Sequence, residues 1–369
     1  MNIPFIFLSR EMIAEKDIYY SAFERTLKSC KYILGESVLE IENRLSKYLG
    51  VKHLITVNSG TDALMLSLRV LGVCAGDEVI TVSNSFVATV GAIAAVGATP
   101  VLVDVGDDLL IDTGLIEKKI TSATKAIIPV HLTGRPANMK MINDIANRHS
   151  LYVIDDAAQS FGAEYNGVKY FDASATCYSF HPYKNFHCLG DGGAIATNND
   201  NICASLLKLR NHGISEGMID RFGYNCRLDE IHAAVLLSTL DMLEDKLKMR
   251  RQIARKYCDS LSDIIDVPNW DSKIMQPSFQ TFIVKTEKRD ELSSYLRDNA
   301  IETAIHYPVP CHKYSAGISF DRGDLLRTEK LSQRILSLPI SHLMTDNEQQ
   351  YVIDKTIGFF YGKSTVCRR

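Results

Sequence analysis

Lys184 sits in Ser179-Phe180-His181-Pro182-Tyr183-Lys184-Asn185, 28 positions after Asp156 of Asp155-Asp156-Ala157-Ala158-Gln159-Ser160. A lysine amine can form a Schiff base with an aldehyde, and a carboxylate at a strand end can hold a protonated ring nitrogen. Pyridoxal 5'-phosphate (PLP) chemistry requires these two protein groups. Most lysines are exposed charges, but this one is followed by Gly190-Asp191-Gly192-Gly193, a glycine density that marks a tight turn or close backbone approach. Partial burial beside a cationic cofactor makes such a lysine a nucleophile and then a proton carrier. Gln159, three residues after Asp156, is placed to donate to the ring's phenolic oxygen. An isolated Asp-Asp pair is usually a solvated cap of the next helix, and either Asp155 or Asp156 could be the functional member.

A phosphate needs several donors. Ser59-Gly60-Thr61 stands where a strand turns into a helix, so its backbone N–H groups and hydroxyls can hold an anion at the helix N-terminus. Taken alone it is an ordinary cap; with the lysine and the carboxylate it becomes a phosphate site, to which Ser179 adds a hydroxyl from a facing strand. Phe86, at the start of a helix after Asn84-Ser85, is a flat side chain able to stack on a flat ring. His306-Tyr307-Pro308 offers two polar aromatic tips, and Tyr183 and Arg227 join them as candidates on the substrate side. His181 and His187 flank the lysine without a partner at metal-ligand spacing, so no metal is expected.

These residues need a frame, and the chain supplies one. His53 to Val57, Val79 to Val82, Pro100 to Val105, Ala126 to Val130, Tyr152 to Asp155, Thr176 to Phe180 and Ala194 to Thr197 are apolar or β-branched runs, separated by helical patterns such as Ala88 to Val96 and Met139 to Arg148. The alternation predicts an α/β fold with a mostly parallel sheet covered on both faces, with ligands at the carboxyl ends of its strands. From Ile231 to Leu261 a long helix is expected. After it come a strand at Phe279 to Val284, a helix at Glu291 to Asn299 and a closing helix from Asp346. The division reads as 1–240, a large cofactor-binding domain with an N-terminal arm, and 241–369, a smaller α+β domain.

Composition narrows the function classes. A net charge of -3 gives no global basic field for nucleic acid or anionic lipid. The nine cysteines are odd in number, scattered and free of any C-x-x-C pair, so neither a disulfide framework nor a zinc site is indicated and a reducing cytoplasm is the natural home. No run of about 18 apolar residues occurs, against a membrane span. No G-x-G-x-x-G follows a strand, against a dinucleotide-binding dehydrogenase.

Several segments together resemble the DegT/DnrJ/EryC1/StrS sugar aminotransferases, of the aspartate-aminotransferase fold type (type I PLP): Tyr32-Ile33-Leu34-Gly35, Asn58-Ser59-Gly60-Thr61, the Asp155 and Lys184 segments above, Gly223-Tyr224-Asn225-Cys226-Arg227-Leu228-Asp229, His306-Tyr307-Pro308 and Leu336-Ser337-Leu338-Pro339. The resemblance implies that Lys184 is the Schiff-base lysine, that Asp156 pairs with the pyridinium nitrogen and that Gln159 faces the ring oxygen. It further implies that Phe86 stacks on the ring, that Gly60, Thr61 and Ser179 hold the phosphate, and that Asn225 reaches the cofactor of the other subunit of a homodimer. The implied substrates are L-glutamate and a nucleotide-linked keto sugar. Gly-Asp-Gly-Gly after the lysine, with Asn-x-Arg-Leu-Asp, is similar to members that aminate carbon 3; carbon-4 enzymes more often carry Gly-Glu-Gly-Gly. Related dehydratases replace the lysine by histidine, and sensor roles were first suggested for some members. The chain departs from the family pattern at Phe186-His187-Cys188, at His232, and at Thr133 and Arg135.

Overall fold

The apolar runs form strands because β-branched side chains pack well on a pleated surface buried on both faces. The computed structural model describes residues 1–362 apart from 216, 220, 318–319 and 321–323; Cys367 lies outside the described residues. In chain order the strands of its first half are β1 (His53–Val57), β2 (Glu78–Val82), β3 (Thr99–Val103), β4 (Thr124–Ile127), β5 (Tyr152–Asp156), β6 (Glu164–Tyr165), β7 (Ala175–Ser179) and β8 (Gly193–Thr197). All but β6 build one seven-stranded sheet in the order β1-β8-β7-β5-β4-β2-β3. Neighbours from β7 to β3 run parallel, and β8 lies antiparallel to both β1 and β7. The expected mostly parallel α/β sheet is therefore present.

This topology brings the chemistry together. Gly193 pairs with Val57 on one side and with Ser179 on the other, so the end of β1, the end of β7 and the start of β8 share one sheet edge. Asp156 closes β5 beside β7 on the same edge. Helix Gly60–Val70 starts there, with the Ser59 hydroxyl accepting from Asp62 N–H at 3.0 Å, an ordinary N-cap. Its far end is closed by Gly72 in the left-handed region, φ 77°.

Most expected elements shift by a residue or two at their ends, and three differ more. The strand foreseen to Val130 stops at Ile127, because Pro129 has no N–H for the ladder and only Val130 re-pairs, with Asp156. The strand foreseen from Phe279 starts at Phe282, since Phe279 is held at φ 46°, outside the strand region. The single long helix is two, Glu230–Thr239 and Leu243–Leu261, joined by a 3₁₀ turn. Thr239 at the break returns its hydroxyl to the carbonyls of Val235 and Leu236, a back-bond that bends helices.

In the C-terminal part Phe282–Lys285 pairs antiparallel with Ile335–Leu338, flanked by helices Arg289–Asp298 and Asp346–Tyr361. The N-terminal arm packs on this part: Ile3 bridges to Ile301, Ile3 and Phe7 enter its core, and Arg10 pairs with Glu348 at 2.7 Å. Glu11 and Glu15 both meet the Lys246 ammonium, at 2.7 and 2.6 Å, and His187 lies 3.4 Å from Glu11. Burial raises the Glu11 carboxyl, but His187 and Lys246 outweigh it and hold it at about 2. His342 approaches the same two glutamates, and the ammonium already occupies the place a cation would take. No helix among the described residues is long and apolar enough to cross a membrane.

Candidate active site

A cavity of about 570 Å³ opens at the shared sheet edge, large enough for a small-molecule site. Gly60, Thr61, Phe86, Asp156, Gln159, Ser179, Tyr183, Lys184, His306 and Tyr307 all line it. Ten of the twelve residues singled out in the sequence thus meet in one place. The other two do not: Asn225 is exposed on a bridge to Asn211, and Arg227 donates to Asn211 Oδ1 at 2.9 Å.

Strand alternation separates the aspartates. Asp155 is fully buried away from the cavity, accepting from the Thr176 hydroxyl at 3.0 Å. Asp156 faces the cavity, and neither residue caps a helix. Its Oδ2 accepts from the Thr89 hydroxyl at 2.6 Å and its Oδ1 from Ala158 N–H at 3.2 Å, which fixes the carboxylate plane. Burial pushes the Asp156 pKa up, against the pull of these donors and of the charges on Lys184 and His131.

Lys184 lines the same cavity and is half-buried. Burial lowers its pKa, with the Asp156 charge working the other way, and its amine makes no hydrogen bond or ion pair among the described residues. Gln280 braces the loop from both sides, accepting from Asn185 N–H at 3.0 Å and donating to the Tyr183 carbonyl. Asn185 adds a bond to the Ser278 carbonyl at 2.8 Å. Such bracing positions the amine with little entropy left to lose.

Gln159 accepts from Thr133 N–H at 3.1 Å and donates to the Tyr307 hydroxyl at 2.9 Å. The Tyr307 ring lies 5.9 Å from that of Phe86, which is 56% exposed and so presents a free aromatic face. His306 reaches Ser337 Oγ at 2.9 Å; burial, and then the Lys184 charge, depress its pKa to about 4, so it is neutral at physiological pH. Thr89, Ser85 and Gln280 were not singled out in the sequence. Thr89 lies in the first turn of the helix that Phe86 begins, a position that does not reveal its partner.

The chain matches the DegT/DnrJ/EryC1/StrS aminotransferase family over residues 14–356. It belongs to that family. It is 40% identical, over 97% of its length and all of the relative's, to dTDP-3-amino-3,6-dideoxy-alpha-D-galactopyranose transaminase of Aneurinibacillus thermoaerophilus. The DesV crystal structure from S. venezuelae superposes with a TM-score of 0.94 at 37% identity, covering 98% of this chain and 99% of that one. NtdA of Bacillus subtilis, solved with bound cofactor PMP, superposes at 0.90 with 32% identity, covering 97% and 85%. The DegT-family chain is a PLP-dependent aminotransferase.

The walls fit that cofactor. A Cβ on Gly60 would stand 2.8 Å from the Ser179 Cβ, and one on Gly193 2.5 Å from the Ser59 carbonyl carbon, so both glycines keep backbone close around a helix N-terminus of the kind that suits an anion. Gly60→Ala is expected to fold but to weaken cofactor binding roughly tenfold, because Ser179 is fixed in a strand and the cradle must open. Equilibrium dialysis of the cofactor measures this.

Proposed function

We propose that this enzyme moves an amino group from L-glutamate to the carbon-3 keto group of a nucleotide-linked keto-deoxy sugar. The observation that carries the reading is a braced, desolvated Lys184 facing an oriented Asp156 across one cavity, in a chain that aligns end to end with a 3-amino sugar transaminase. Bound PLP supplies the electron sink and carries the amino group between the two substrates. Gly60, Thr61 and Ser179 hold its phosphate, Phe86 its ring face, Gln159 its ring oxygen and Asp156 its ring nitrogen. Lys184 Nζ, depressed in pKa by burial, takes the proton from the donor's α-carbon and returns it at the far end of the same system. Neutral His306 and the Tyr307 hydroxyl sit where a sugar hydroxyl can be read without a charge. The test is to supply glutamate with a panel of 3-keto and 4-keto nucleotide sugars and to locate the new amine by NMR. An amine on carbon 4 overturns the regiochemistry.

The enzyme works as a homodimer in this reading, with Asn225 completing the partner's phosphate site. Its exposure outside the chain's own cavity supports this, as do the exposed apolar side chains nearby, Phe222 at 89% and Met218 at 73%. Mixing a Lys184→Ala chain with an Asn225→Ala chain is then expected to restore activity above either parent. One site of the heterodimer collects both lesions and the other is wild type. No recovery despite proven subunit exchange would place Asn225 elsewhere. In the same reading, we assign residues 1–240 to the cofactor domain and 241–369 to the smaller domain that brings His306 and Tyr307.

A further inference from the structure

Thr89 and Ser85 stand beside Asp156, and their geometry fixes the direction of a short hydrogen-bond chain. Thr89 Oγ1 lies 2.6 Å from Asp156 Oδ2, and Ser85 Oγ lies 2.7 Å from Thr89 Oγ1. A hydroxyl has one proton. Once Thr89 spends its proton on the carboxylate, Ser85 must be the donor to Thr89, so the bonds run Ser85 to Thr89 to Asp156. Both hydroxyls are buried, Thr89 fully and Ser85 to within 3%. The loop that carries Ser85 and leads into the helix of Thr89 is pinned from the C-terminal part. Cys311 N–H donates to the Ser83 carbonyl at 3.0 Å, Cys311 Sγ to the Ser85 carbonyl at 3.4 Å, and the Ser83 hydroxyl meets His312 Nδ1 at 2.7 Å. The Ser85 backbone is therefore held by bonds that do not involve the Thr89 side chain.

A buried carboxyl facing a ring nitrogen can share one proton in two ways: on the nitrogen, as an ion pair, or on the oxygen, as a neutral pair. Donors to the carboxylate stabilise only the first. Burial favours the second, and it is the largest influence on Asp156; the Thr89 hydroxyl is the largest opposing one, ahead of Ala158 N–H, Lys184 and His131. Asp155, the adjacent acid, points to the other face and is bonded to Thr176.

We infer that Thr89 is the positioning residue that keeps the proton shared between Asp156 and the bound pyridine ring on the nitrogen, and that Ser85 reinforces it by polarising the Thr89 hydroxyl. The step is a proton shift between ring nitrogen and Asp156 Oδ, with no other atom exchanged. It rests on the PLP reading of the site. Its functional weight is large, because an unprotonated ring is a poor sink for the electrons left when the donor's α-proton departs.

The test uses the whole enzyme reconstituted with cofactor carrying ¹⁵N in the ring. Thr89→Val keeps the side-chain shape and removes the proton. Its ring resonance is expected to move from the protonated toward the unprotonated position, and the glutamate half-reaction to slow roughly tenfold or more, as for a lost charge-assisted bond. Thr89→Ser restores both, and Ser85→Ala gives a smaller shift in the same direction. A wild-type resonance in Thr89→Val overturns the inference even where the half-reaction slows, since packing alone would then explain the rate; so does a Thr89→Ser enzyme that stays shifted. Should Thr89→Val fail to fold, Ser85→Ala decides alone: a shift supports the chain and an unchanged resonance overturns it. Failure of the PLP reading looks different, because the wild-type protein would then take up no labelled cofactor at all.

Discussion

Lys184→Ala is expected to lower transamination by at least about three orders of magnitude, since covalent and proton-transfer roles are lost together. The protein should stay folded, with thermal stability equal to or above the wild type's. The reason lies in the site: the amine has no hydrogen bond or ion pair among the described residues, and burial already disfavours its charged form. The loop is held by Gln280 and Asn185 and not by the lysine itself. Three measurements check this. Single-turnover conversion with glutamate should vanish, the yellow band near roughly 400 nm that a lysine-linked cofactor gives should be absent, and the melting temperature should not fall. Turnover above a few per cent would remove Lys184 from the mechanism. A small added amine that partly restores the proton transfer would separate that role from the lysine's attachment to the cofactor.

Most of this site was legible because its residues sit at points where the backbone itself announces a change. Ser59-Gly60-Thr61 begins a helix, Asp156 and Ser179 end apolar strands, and all three fall on one edge once the strands align in parallel. Asp155 and Asp156 could not be told apart, because either can end a strand, and the choice depends on which face the pleat turns to the cavity. Thr89 and Gln280 were hidden for another reason. Thr89 reads locally as one more residue of an apolar helix, and Gln280 as a strand residue. Their roles come from contacts across 67 and 95 residues of sequence, to Asp156 and to Asn185, which no local pattern encodes. The arm was legible as a folded segment, but the surface it packs on was not, since Ile3 finds its partner at Ile301. The break at Leu240–Met242 was likewise invisible, because no Gly or Pro marks it and the Thr239 back-bond does.

Asp156→Asn is expected to have the second largest effect, and to move stability and activity in opposite directions. The folded protein raises the Asp156 pKa above its unfolded value by burial. A raised carboxyl pKa means that the folded state resists ionisation, so the penalty is absent below the unfolded pKa, grows as pH rises from there to the folded pKa, and is complete above it. An amide carries no such penalty, and its oxygen can still accept from Thr89. Cofactor-free Asp156→Asn enzyme should therefore melt above wild type at neutral pH, and the difference should shrink as the pH is lowered. With cofactor bound the balance reverses. The neutral amide no longer favours a protonated ring, and both half-reactions should slow by roughly a hundredfold or more, the scale set by removing one well-placed charge from a desolvated site. Asp155→Asn should leave the half-reactions nearly unchanged, because its carboxylate meets Thr176 on the other face of the strand. Melting curves across pH for the cofactor-free proteins, and stopped-flow half-reactions for the loaded ones, separate the two residues. If Asp155→Asn proves the slow enzyme and Asp156→Asn the fast one, the face of β5 that serves the cavity has been assigned the wrong way round, and the hydroxyl chain from Ser85 through Thr89 loses its target with it.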